Sequence, residues 1–338
     1  MKIIIATDAW KPQINGVVTT LGKMGDELSL LGHQVKYITP ESFSTLPCPS
    51  YPSIRLAICP KNKVSRMLDE FKPDAVHIAT EGPLGQAART YCIKLNIKFT
   101  TSYHTQFPEY LRLRAPIPIS WTYAFLRRFH EKAVCTMVPT PSQQQRLIDR
   151  GFSNVVVWSR GVDLELFRPG TKEIIDAPRP LSMYMGRVAV EKNIEAFLKL
   201  ELPGTKIIVG DGPDLASLRK KYPSVMFTGF KQGEELAQFL AAADVFVFPS
   251  LTDTFGLVML EAMACGVPVA AFPVTGPIDV IVPGKTGELD NDLKKATLKA
   301  LELNPTDCIE YARNNSWRNS AETFFNYLEP IFPQTKIA

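Results

Sequence analysis

Residues 245–272 read VFVFPSLTDTFGLVMLEAMACGVPVAAF and lay out one complete unit of the fold. The run at 245–249 is apolar and predicts a buried strand, a glycine lies in the turn that follows, and the next residues predict a helix that ends at Gly266. A second apolar run at 267–272 predicts another strand. A strand, a helix and a strand in this order indicate parallel pairing in a sheet that is covered on both faces.

The same alternation runs along the whole chain. Strands are predicted at 2–7, 34–39, 75–79, 98–103, 136–139 and 155–158, and again at 181–185, 206–209, 225–227, 245–249 and 267–272. A proline-rich stretch at 166–180 separates the two series. The pattern predicts an α/β chain of two doubly wound, Rossmann-like domains at 1–165 and 166–315, followed by a terminal segment at 316–338 whose helix packs back on the first domain.

Composition places the chain among ordinary globular enzymes, with 45% hydrophobic and 21% charged residues in 338. The short apolar start predicts a first strand and not a signal peptide, and no run reaches the roughly 20 apolar residues of a membrane-spanning helix. The six cysteines form no CxxC pair and the four histidines have no ligand spacing. We therefore expect reduced thiols, no zinc and a cytoplasmic protein.

Charge is unevenly distributed. Residues 1–165 hold 20 Lys/Arg against 13 Asp/Glu, a net +7, whereas the remainder holds 18 against 21, a net −3. A basic first half indicates an anionic partner on that side, although seven charges over this length are also compatible with plain solvated surface.

Two loops of the second half carry residues suited to a diphosphate. Gly186 and Arg187 follow the strand at 181–185, and Lys192 stands near a helix start. A glycine lets the backbone approach a ligand, and cations at a strand-to-helix turn attract phosphate. Gly210 ends the next strand in the motif Gly-Asp-Gly-Pro. A tight turn with a proline in the first helical turn explains this motif as well as ligand binding does.

The turn inside the opening stretch carries two carboxylates. Asp253 lies in the loop and Glu261 about one helical turn beyond the helix start, so both can face the same side. The amides of Phe255, Gly256 and Leu257 would lie at the helix N-terminus, where they suit a phosphate or a sugar hydroxyl. Each carboxylate alone is compatible with helix capping or solvation. Together they predict a binding wall.

These motifs resemble retaining glycosyltransferases of family 4, over essentially the whole chain. The resemblance rests on Asp253-x7-Glu261, on Gly186-Arg187 with Glu191-Lys192, and on Gly161-Val162-Asp163 with Phe167-Arg168-Pro169. It implies the GT-B fold, in which two Rossmann-like domains face a central cleft.

The resemblance also implies roles for the second-half residues. Arg187 and Lys192 are expected to bind the donor diphosphate and to meet the leaving-group charge without a metal, so no cofactor is expected. Asp253 is expected to bind hydroxyls of the donor sugar, and Glu261 the ribose. The family usually has Glu at the first acidic position, where this sequence has Asp253, whose reach is shorter by one methylene. The one Asp-x-Asp motif, at 290–292, precedes a helix pattern and is predicted to be a cap.

The first half supplies the expected acceptor side. Gly16, in the segment Pro12-Gln13-Ile14-Asn15-Gly16-Val17, opens a helix whose amides are expected to reach the diphosphate; without the resemblance, Asn-Gly is most often just a turn. His104 follows a strand and is a candidate catalytic contact to the transferred sugar, although a lone histidine is more often structural. Glu81 has no assigned role beyond a cap or an acceptor contact.

The stretch at 111–132 combines basic and aromatic residues. It contains Arg112, Arg114, Trp121, Tyr123, Phe125, Leu126, Arg127, Arg128, Phe129 and Lys132. This composition fits an in-plane helix on an anionic membrane, or else a core helix with a basic solvent face. Nucleic-acid binding could use the same charges, but no motif supports it.

The sequence therefore predicts a retaining, metal-independent hexosyltransferase, peripheral at the inner face of the plasma membrane. We expect it to move a sugar from a nucleotide donor, a UDP-hexose by preference, to a hydroxyl of a lipid such as diacylglycerol. One alternative is a GDP-mannose-dependent mannosyltransferase acting on a glycolipid or soluble glycan. A nucleotide-sugar epimerase and a membrane-bound sugar-nucleotide sensor are further alternatives. A nicotinamide dehydrogenase is disfavoured because the first turn lacks GxGxxG.

Overall fold

A computed structural model of the chain describes residues 1–13, 15–48, 51–114 and 118–331. The chain divides into two compact units, one of Met1–Ser159 with Trp317–Ala338, the other of Arg160–Ser316. The second unit thus begins slightly before the predicted boundary at 165. Val162 explains the difference, because its amide donates to the Asn315 carbonyl at 2.9 Å and its side chain is buried in the core of the second unit.

The first unit is built on a six-stranded parallel sheet in the order β2-β1-β5-β6-β7-β8. Its strands are β1 (Lys2–Ala6), β2 (Gln34–Ile38), β5 (Ala75–Ile78), β6 (Thr100–Ser102), β7 (Thr136–Val138) and β8 (Val155–Val157). An antiparallel pair, β3 (Thr45–Cys48) and β4 (Tyr51–Ala57), forms a separate small sheet.

Helices cover both faces of this sheet. They are α1 (Gly16–Leu30), α2 (Lys61–Phe71), α3 (Pro83–Lys94), α4 (Phe107–Arg114), α5 (Ile119–His130), α6 (Pro141–Ile148) and the returning α14 (Trp317–Tyr327). Side chains alternate between the two faces of β1, so that Ile4 packs in one core cluster and Ile3 and Ile5 in another. Phe324 of α14 packs against Trp158, with ring centroids 4.8 Å apart, which joins the last helix to the first unit.

The second unit has its own six-stranded parallel sheet, in the order β11-β10-β9-β12-β13-β14. Its strands are β9 (Leu181–Met185), β10 (Thr205–Val209), β11 (Met226–Gly229), β12 (Val245–Phe248), β13 (Val269–Ala271) and β14 (Gly287–Leu289). Its helices are α7 (Ile194–Leu198), α8 (Leu215–Lys221), α9 (Gly233–Ala242), α10 (Leu257–Ala264), α11 (Pro277–Val280), α12 (Leu293–Ala300) and α13 (Pro305–Arg313).

The predicted α/β class and both parallel sheets are confirmed. The hairpin β3–β4 and the strand β14 were not predicted, because Pro47 breaks the alternation of the first and the second, Gly287-Glu288-Leu289, contains no apolar run. The predicted helical stretch at 111–132 is two helices, and residues 115–117 within it lie outside the described chain. None of the helices in the described ranges is both long and apolar enough to cross a membrane.

Candidate active site

In the second unit, β9 and β12 are neighbours in the sheet although two strands separate them in sequence, so the chain order reverses between them. Such a reversal leaves a crevice at the carboxyl ends of the strands, where doubly wound proteins bind ligands. The loops that follow β9 and β12 carry Lys192 and Asp253. The Lys192 ammonium lies 2.7 and 2.9 Å from the two carboxylate oxygens of Asp253, and both side chains are partly exposed.

Further hydrogen bonds tie these two loops together. The Asn193 side-chain amide donates to the Pro249 carbonyl at 3.0 Å, and the Ser250 hydroxyl to the Glu191 carbonyl at 3.5 Å. The hydroxyl of the buried Tyr184 donates to the Arg187 carbonyl at 2.8 Å, while the Arg187 side chain is exposed. The structure therefore holds the lysine and the carboxylate in place and presents Arg187 to solvent beside them.

Gly186 and Gly210 allow the ends of β9 and β10 to come together. Gly210 has φ of +143°, and a Cβ added to it would lie 1.9 Å from the Gly186 carbonyl oxygen. The Gly186 amide donates to the Val209 carbonyl at 2.9 Å. A side chain at 210 would force the loops apart, so this glycine has a packing reason that does not depend on any ligand.

The turn into α10 brings backbone amides to the same edge. Phe255 is buried in the core, and Gly256 has φ of +83°, with Phe248 and Met259 both 2.9 Å from the position of a Cβ. A side-chain-bearing residue would be strained and would clash there. Because the first amides of a helix have no acceptor one turn earlier, those of Leu257 and Val258 point out of the N-terminus, whereas the Met259 amide donates to the Gly256 carbonyl at 2.9 Å.

Glu261, one turn into α10, has an altered acidity. Burial, with a smaller contribution from the negative charge of Asp163, raises its pKa to about 7. Asp163 itself accepts hydrogen bonds from the amides of Glu165 and Leu166, at 3.2 and 3.1 Å. Near neutral pH, Glu261 is thus present in both protonation states. The sequence resemblance included Asp163 but gave no sign of this coupling.

In the first unit, Gly16 is the first residue of α1 and is exposed. The preceding Asn15 caps the helix, since its side-chain oxygen accepts from the amides of Val17 and Val18, both at 3.0 Å. Asn-Gly here begins a helix, and two of the amides expected to reach a diphosphate already have a partner. Ile14 of the predicted segment lies outside the described residues.

His104 and Glu81 lie after neighbouring strands of the first sheet. His104 follows β6, is half-buried and contacts Trp158 edge-on at 6.0 Å between ring centroids. Glu81 follows β5, and its Oε1 lies 3.2 Å from Nε2 of the fully buried His130. Glu81 thus has a partner that the sequence did not indicate.

Sequence reasoning also missed a second polar group at this edge. One carboxylate oxygen of Glu109, on α4, accepts from the Tyr123 hydroxyl at 2.8 Å and from the Arg146 guanidinium. These residues come from three helices with no motif spacing between them, so nothing in the sequence could have brought them together. The predicted cap at 290–292 is confirmed, because the Asp292 carboxylate accepts from the Lys294 and Lys295 amides.

Comparison with known families assigns both units. A model described as "Glycosyltransferase Family 4" matches residues 14–166, and one described as "Glycosyl transferases group 1" matches residues 179–303. A GDP-mannose-dependent alpha-mannosyltransferase of Mycobacterium tuberculosis is 30% identical over 86% of this chain and 83% of its own. The chain belongs to glycosyltransferase family 4. This family 4 enzyme is a nucleotide-sugar-dependent, retaining hexosyltransferase, as the resemblance predicted.

Other relatives widen the range of named substrates. The sulfoquinovosyl transferase of Arabidopsis thaliana is 33% identical to the family 4 enzyme over 83% of this chain and 60% of its own. An alpha-monoglucosyldiacylglycerol synthase of Streptococcus pneumoniae is 29% identical over 96% of this chain and 83% of its own. Among solved structures, sucrose-phosphate synthase of Thermosynechococcus elongatus superposes with a TM-score of 0.74 at 21% identity, over 96% of this chain and 97% of that one. The last likeness shows the shared GT-B fold.

Proposed function

We propose that this family 4 enzyme transfers a mannosyl group from GDP-mannose to a hydroxyl of a lipid-borne acceptor at an anionic membrane surface. The observation that carries the donor is the similarity to the GDP-mannose-dependent alpha-mannosyltransferase, which extends over both units. It favours GDP-mannose over the UDP-hexose that the sequence motifs alone suggested.

The edge of the second sheet supports the donor half of the proposal. Lys192 and the exposed Arg187 would neutralise the diphosphate, and the amides at the start of α10 would bind its oxygens or a sugar hydroxyl. As the bond to the anomeric carbon breaks, negative charge grows on the departing phosphate, and these groups stabilise it. Glu261, once ionised, would accept hydrogen bonds from the ribose. His104 stays a predicted contact to the transferred sugar.

The outer face of α5 supports the membrane half. Tyr123, Leu126 and Phe129 of this helix are buried, whereas Trp121 and Phe125, one turn apart, are 72% and 51% exposed. The aromatic stretch is thus partly core and partly surface. Two large aromatic side chains exposed to solvent on one face of a helix are suited to insertion into the interfacial region of a bilayer.

Cations flank these exposed aromatics. An open depression of about 510 Å³ between α3 and α5 is lined by Arg89, Arg127, Arg128 and Lys132, with Glu131 as its one acidic residue. Four positive charges against one negative suit the phosphate groups of anionic lipids. Arg112 is exposed as well, while the side chain of Arg114 is outside the described ones.

A second candidate is hexosyl transfer from a UDP-hexose to diacylglycerol. Its support is the alpha-monoglucosyldiacylglycerol synthase, to which the similarity covers 96% of this chain. The two candidates share the fold, the cationic edge and the membrane face, and they differ in donor base and in acceptor.

A panel of donors and lipids separates them. The purified enzyme is incubated with labelled GDP-mannose, UDP-glucose or UDP-glucuronate and with vesicles of phosphatidylglycerol containing diacylglycerol or monoglucosyldiacylglycerol. A parallel reaction offers a soluble oligosaccharide instead of vesicles, and the products are resolved by thin-layer chromatography. We expect label from GDP-mannose in a lipid product. Label from a UDP-sugar in diacylglycerol supports the second candidate. Label in a soluble glycan but in no lipid refutes the lipid acceptor for both.

The panel also covers the other enzyme class. An epimerase would convert the free nucleotide-sugar without any acceptor, and a sensor would bind it without turnover. Transfer that disappears in Lys192→Ala, with the fold retained, excludes both alternatives.

A further inference from the structure

An open depression on the surface of the first unit is lined mainly by cations and lies between α3 and α5. We propose that it is a discrete site for one lipid headgroup that carries two phosphates, and that it binds such a headgroup more tightly than two phosphates on separate lipids. The inference rests on the membrane half of the proposed function and adds to it the class of lipid that this surface binds.

The depression continues the exposed aromatic surface of α5. Trp121, Phe125 and Arg128 follow one another at spacings of four and three residues, which places them on one face of the helix. Two apolar residues, Ile93 of α3 and Ala124 of α5, are among those that line the depression. When the two aromatic side chains insert into the interfacial region of a bilayer, the lining cations come to the level of the lipid phosphates.

Two of the lining arginines are fixed by backbone carbonyls. The Arg89 guanidinium donates to the carbonyl of Phe129 at 2.8 Å and to that of Arg128 at 2.7 Å, at the carboxyl end of α5. The Arg127 guanidinium donates to the Arg150 carbonyl at 3.2 Å, just after α6. Because a carbonyl has no net charge, both guanidiniums keep their positive charge for a ligand, and their side chains are already ordered before one binds.

The other two cations can turn toward a ligand. Arg128 and Lys132 are exposed, and neither side chain makes a hydrogen bond or an ion pair with the part of the chain that the structure describes. Glu131 is the one acidic residue among the described residues that line the depression. Four cations against one carboxylate therefore leave three positive charges without a counter-charge.

The lining cations also repel one another. Burial is the main influence on the pKa of the Arg89 guanidinium and lowers it, the Glu131 carboxylate raises this pKa, and the positive charge of Arg128 lowers it again. The charges of Arg89 and Arg128 thus act on each other across the depression. An anion bound between them would replace this repulsion by attraction to both.

The number of uncompensated charges favours a headgroup with two phosphates. One phosphodiester would leave two of the three positive charges without a counter-charge, whereas a pair would leave only one. When both phosphates belong to one headgroup, the second contact forms within the same complex and does not require another lipid to arrive. The volume of about 510 Å³ lies within the range of roughly 300–1,000 Å³ found for small-molecule sites, so it has room for both phosphates.

Two vesicle compositions of equal charge separate a discrete site from diffuse attraction. Phosphatidylcholine vesicles contain either phosphatidylglycerol or half that molar fraction of cardiolipin, so that the number of phosphates is the same, and binding of the full chain is measured by co-sedimentation at constant salt. We expect partition onto the cardiolipin vesicles to be about tenfold stronger. Equal partition onto both overturns the inference. Binding to neither, above the level for pure phosphatidylcholine, instead refutes the membrane half of the proposed function.

Variants then assign the cardiolipin preference to the lining cations. Arg128→Gln and Lys132→Gln should each reduce it to about twofold, because each removes one charge at the lipid surface. Trp121→Ala should weaken binding to both kinds of vesicle by the same factor and leave the preference intact, since the indole carries no charge. The control is Arg66→Gln, which removes the same charge from an exposed position on α2. A tenfold preference that survives in both Arg128→Gln and Lys132→Gln overturns the inference.

Arg89→Lys distinguishes a site of fixed geometry from a cluster of charges. The change keeps the charge of the depression, but an ammonium lacks the planar donors with which the guanidinium holds two carbonyls. The number of charges alone predicts an unchanged cardiolipin preference, whereas a site of fixed geometry predicts a several-fold loss with unchanged partition onto phosphatidylglycerol. The melting temperature is measured alongside to verify that the chain stays folded. An unaltered preference in folded Arg89→Lys overturns the discrete site.

Discussion

The two sheets reverse their strand order in the same way, yet the crevices at the two reversals are filled differently. In the second unit the loops after β9 and β12 present Lys192, Arg187 and the start of α10. In the first unit the loops after β1 and β5 enclose Asp8, which accepts from the Leu84 amide at 2.9 Å and the Thr80 hydroxyl at 2.8 Å. The buried Asp8 carboxyl therefore accepts from the first amides of α3, at the kind of helix N-terminus where other proteins bind phosphate.

This difference explains why a repeated architecture serves two purposes. A helix N-terminus attracts negatively polarised groups, and in the first unit the Asp8 carboxyl fills that position at α3, whereas we propose that the donor fills it at α10 in the second. The net charges are opposite to this local arrangement. Residues 1–165, whose crevice holds a carboxyl, carry +7, and the remainder, whose crevice presents cations, carries −3. In the proposed function, the local placement of charged groups therefore decides what each edge binds, and net charge decides only which large surface attracts the enzyme.

The largest expected effect comes from removing the cation of the second unit. Lys192→Ala should lower kcat/KM by about 100- to 1000-fold, because one preorganised charge on the departing phosphate is lost. Steady-state kinetics with varied donor measure it. Lys199→Ala, which removes an exposed lysine of the same unit, should stay within about twofold. A Lys192→Ala enzyme with nearly full activity removes the basis for a cationic edge.

We expect a smaller loss of kcat/KM when the charge of Asp253, the ion-pair partner of Lys192, is removed. Asp253→Asn should lower kcat/KM by about tenfold, because both its oxygens hold the Lys192 ammonium and the lysine would lose its fixed position. The double variant should be no worse than Lys192→Ala alone, since the two act as one unit. Additive losses would instead indicate that Asp253 contacts the sugar independently of Lys192, as the family resemblance implied.

The fold was predictable because its signal is local. Near-continuous apolar runs joined by helical segments identify parallel strands, and residues 245–272 alone contain a full repeat of that pattern. The candidate donor edge was partly predictable for the same reason: Gly186, Lys192 and Asp253 lie in the segments that follow strands β9 and β12, and Glu261 lies one turn into the next helix.

The pairing of the other site residues could not be predicted, because the residues that meet have no regular spacing in the sequence. Glu109 and Arg146 meet although their helices, α4 and α6, follow different strands, and Glu81 meets His130 across forty-nine positions. The pairing of Lys192 with Asp253 was missed too, although both residues were singled out. The position of a residue after a predicted strand indicates the sheet edge on which it lies, but its hydrogen-bond or ion-pair partner depends on tertiary packing.

Membrane binding should respond to the outer face of α5 alone. Arg127→Gln and Arg128→Gln should each weaken partition onto phosphatidylglycerol vesicles by about fivefold, and Trp121→Ala by a similar factor. Vesicle co-sedimentation at several salt concentrations measures this, and the arginine effects should shrink as salt rises. Leu30→Ala is the control, since Leu30 is 76% exposed on α1. Equal losses in Leu30→Ala and Trp121→Ala contradict an α5-specific surface.

The smallest effect concerns pH. The Glu261 pKa is about 7 in the folded chain, above its ordinary 4.5, so its contribution to stability is full below about pH 4.5 and is lost as pH rises through 7. Relative to Glu261→Gln, the wild-type enzyme should lose about 1 kcal/mol of unfolding free energy between pH 6 and 8. Donor affinity should rise several-fold over the same window, because the ionised form accepts from the ribose. If unfolding free energy and donor affinity depend on pH in the same way in the wild type and in Glu261→Gln, the role given to Glu261 is refuted.

Equilibrium binding of GDP-mannose tests the contrast between the two edges most directly. Isothermal titration calorimetry on the wild-type chain, Lys192→Ala and Glu109→Gln, each checked for an unchanged melting temperature, separates the edge of the second sheet from the edge of the first. We predict that Lys192→Ala weakens GDP-mannose binding by at least tenfold and that Glu109→Gln leaves it unchanged. Loss of binding in Glu109→Gln, or wild-type affinity in Lys192→Ala, would contradict the account.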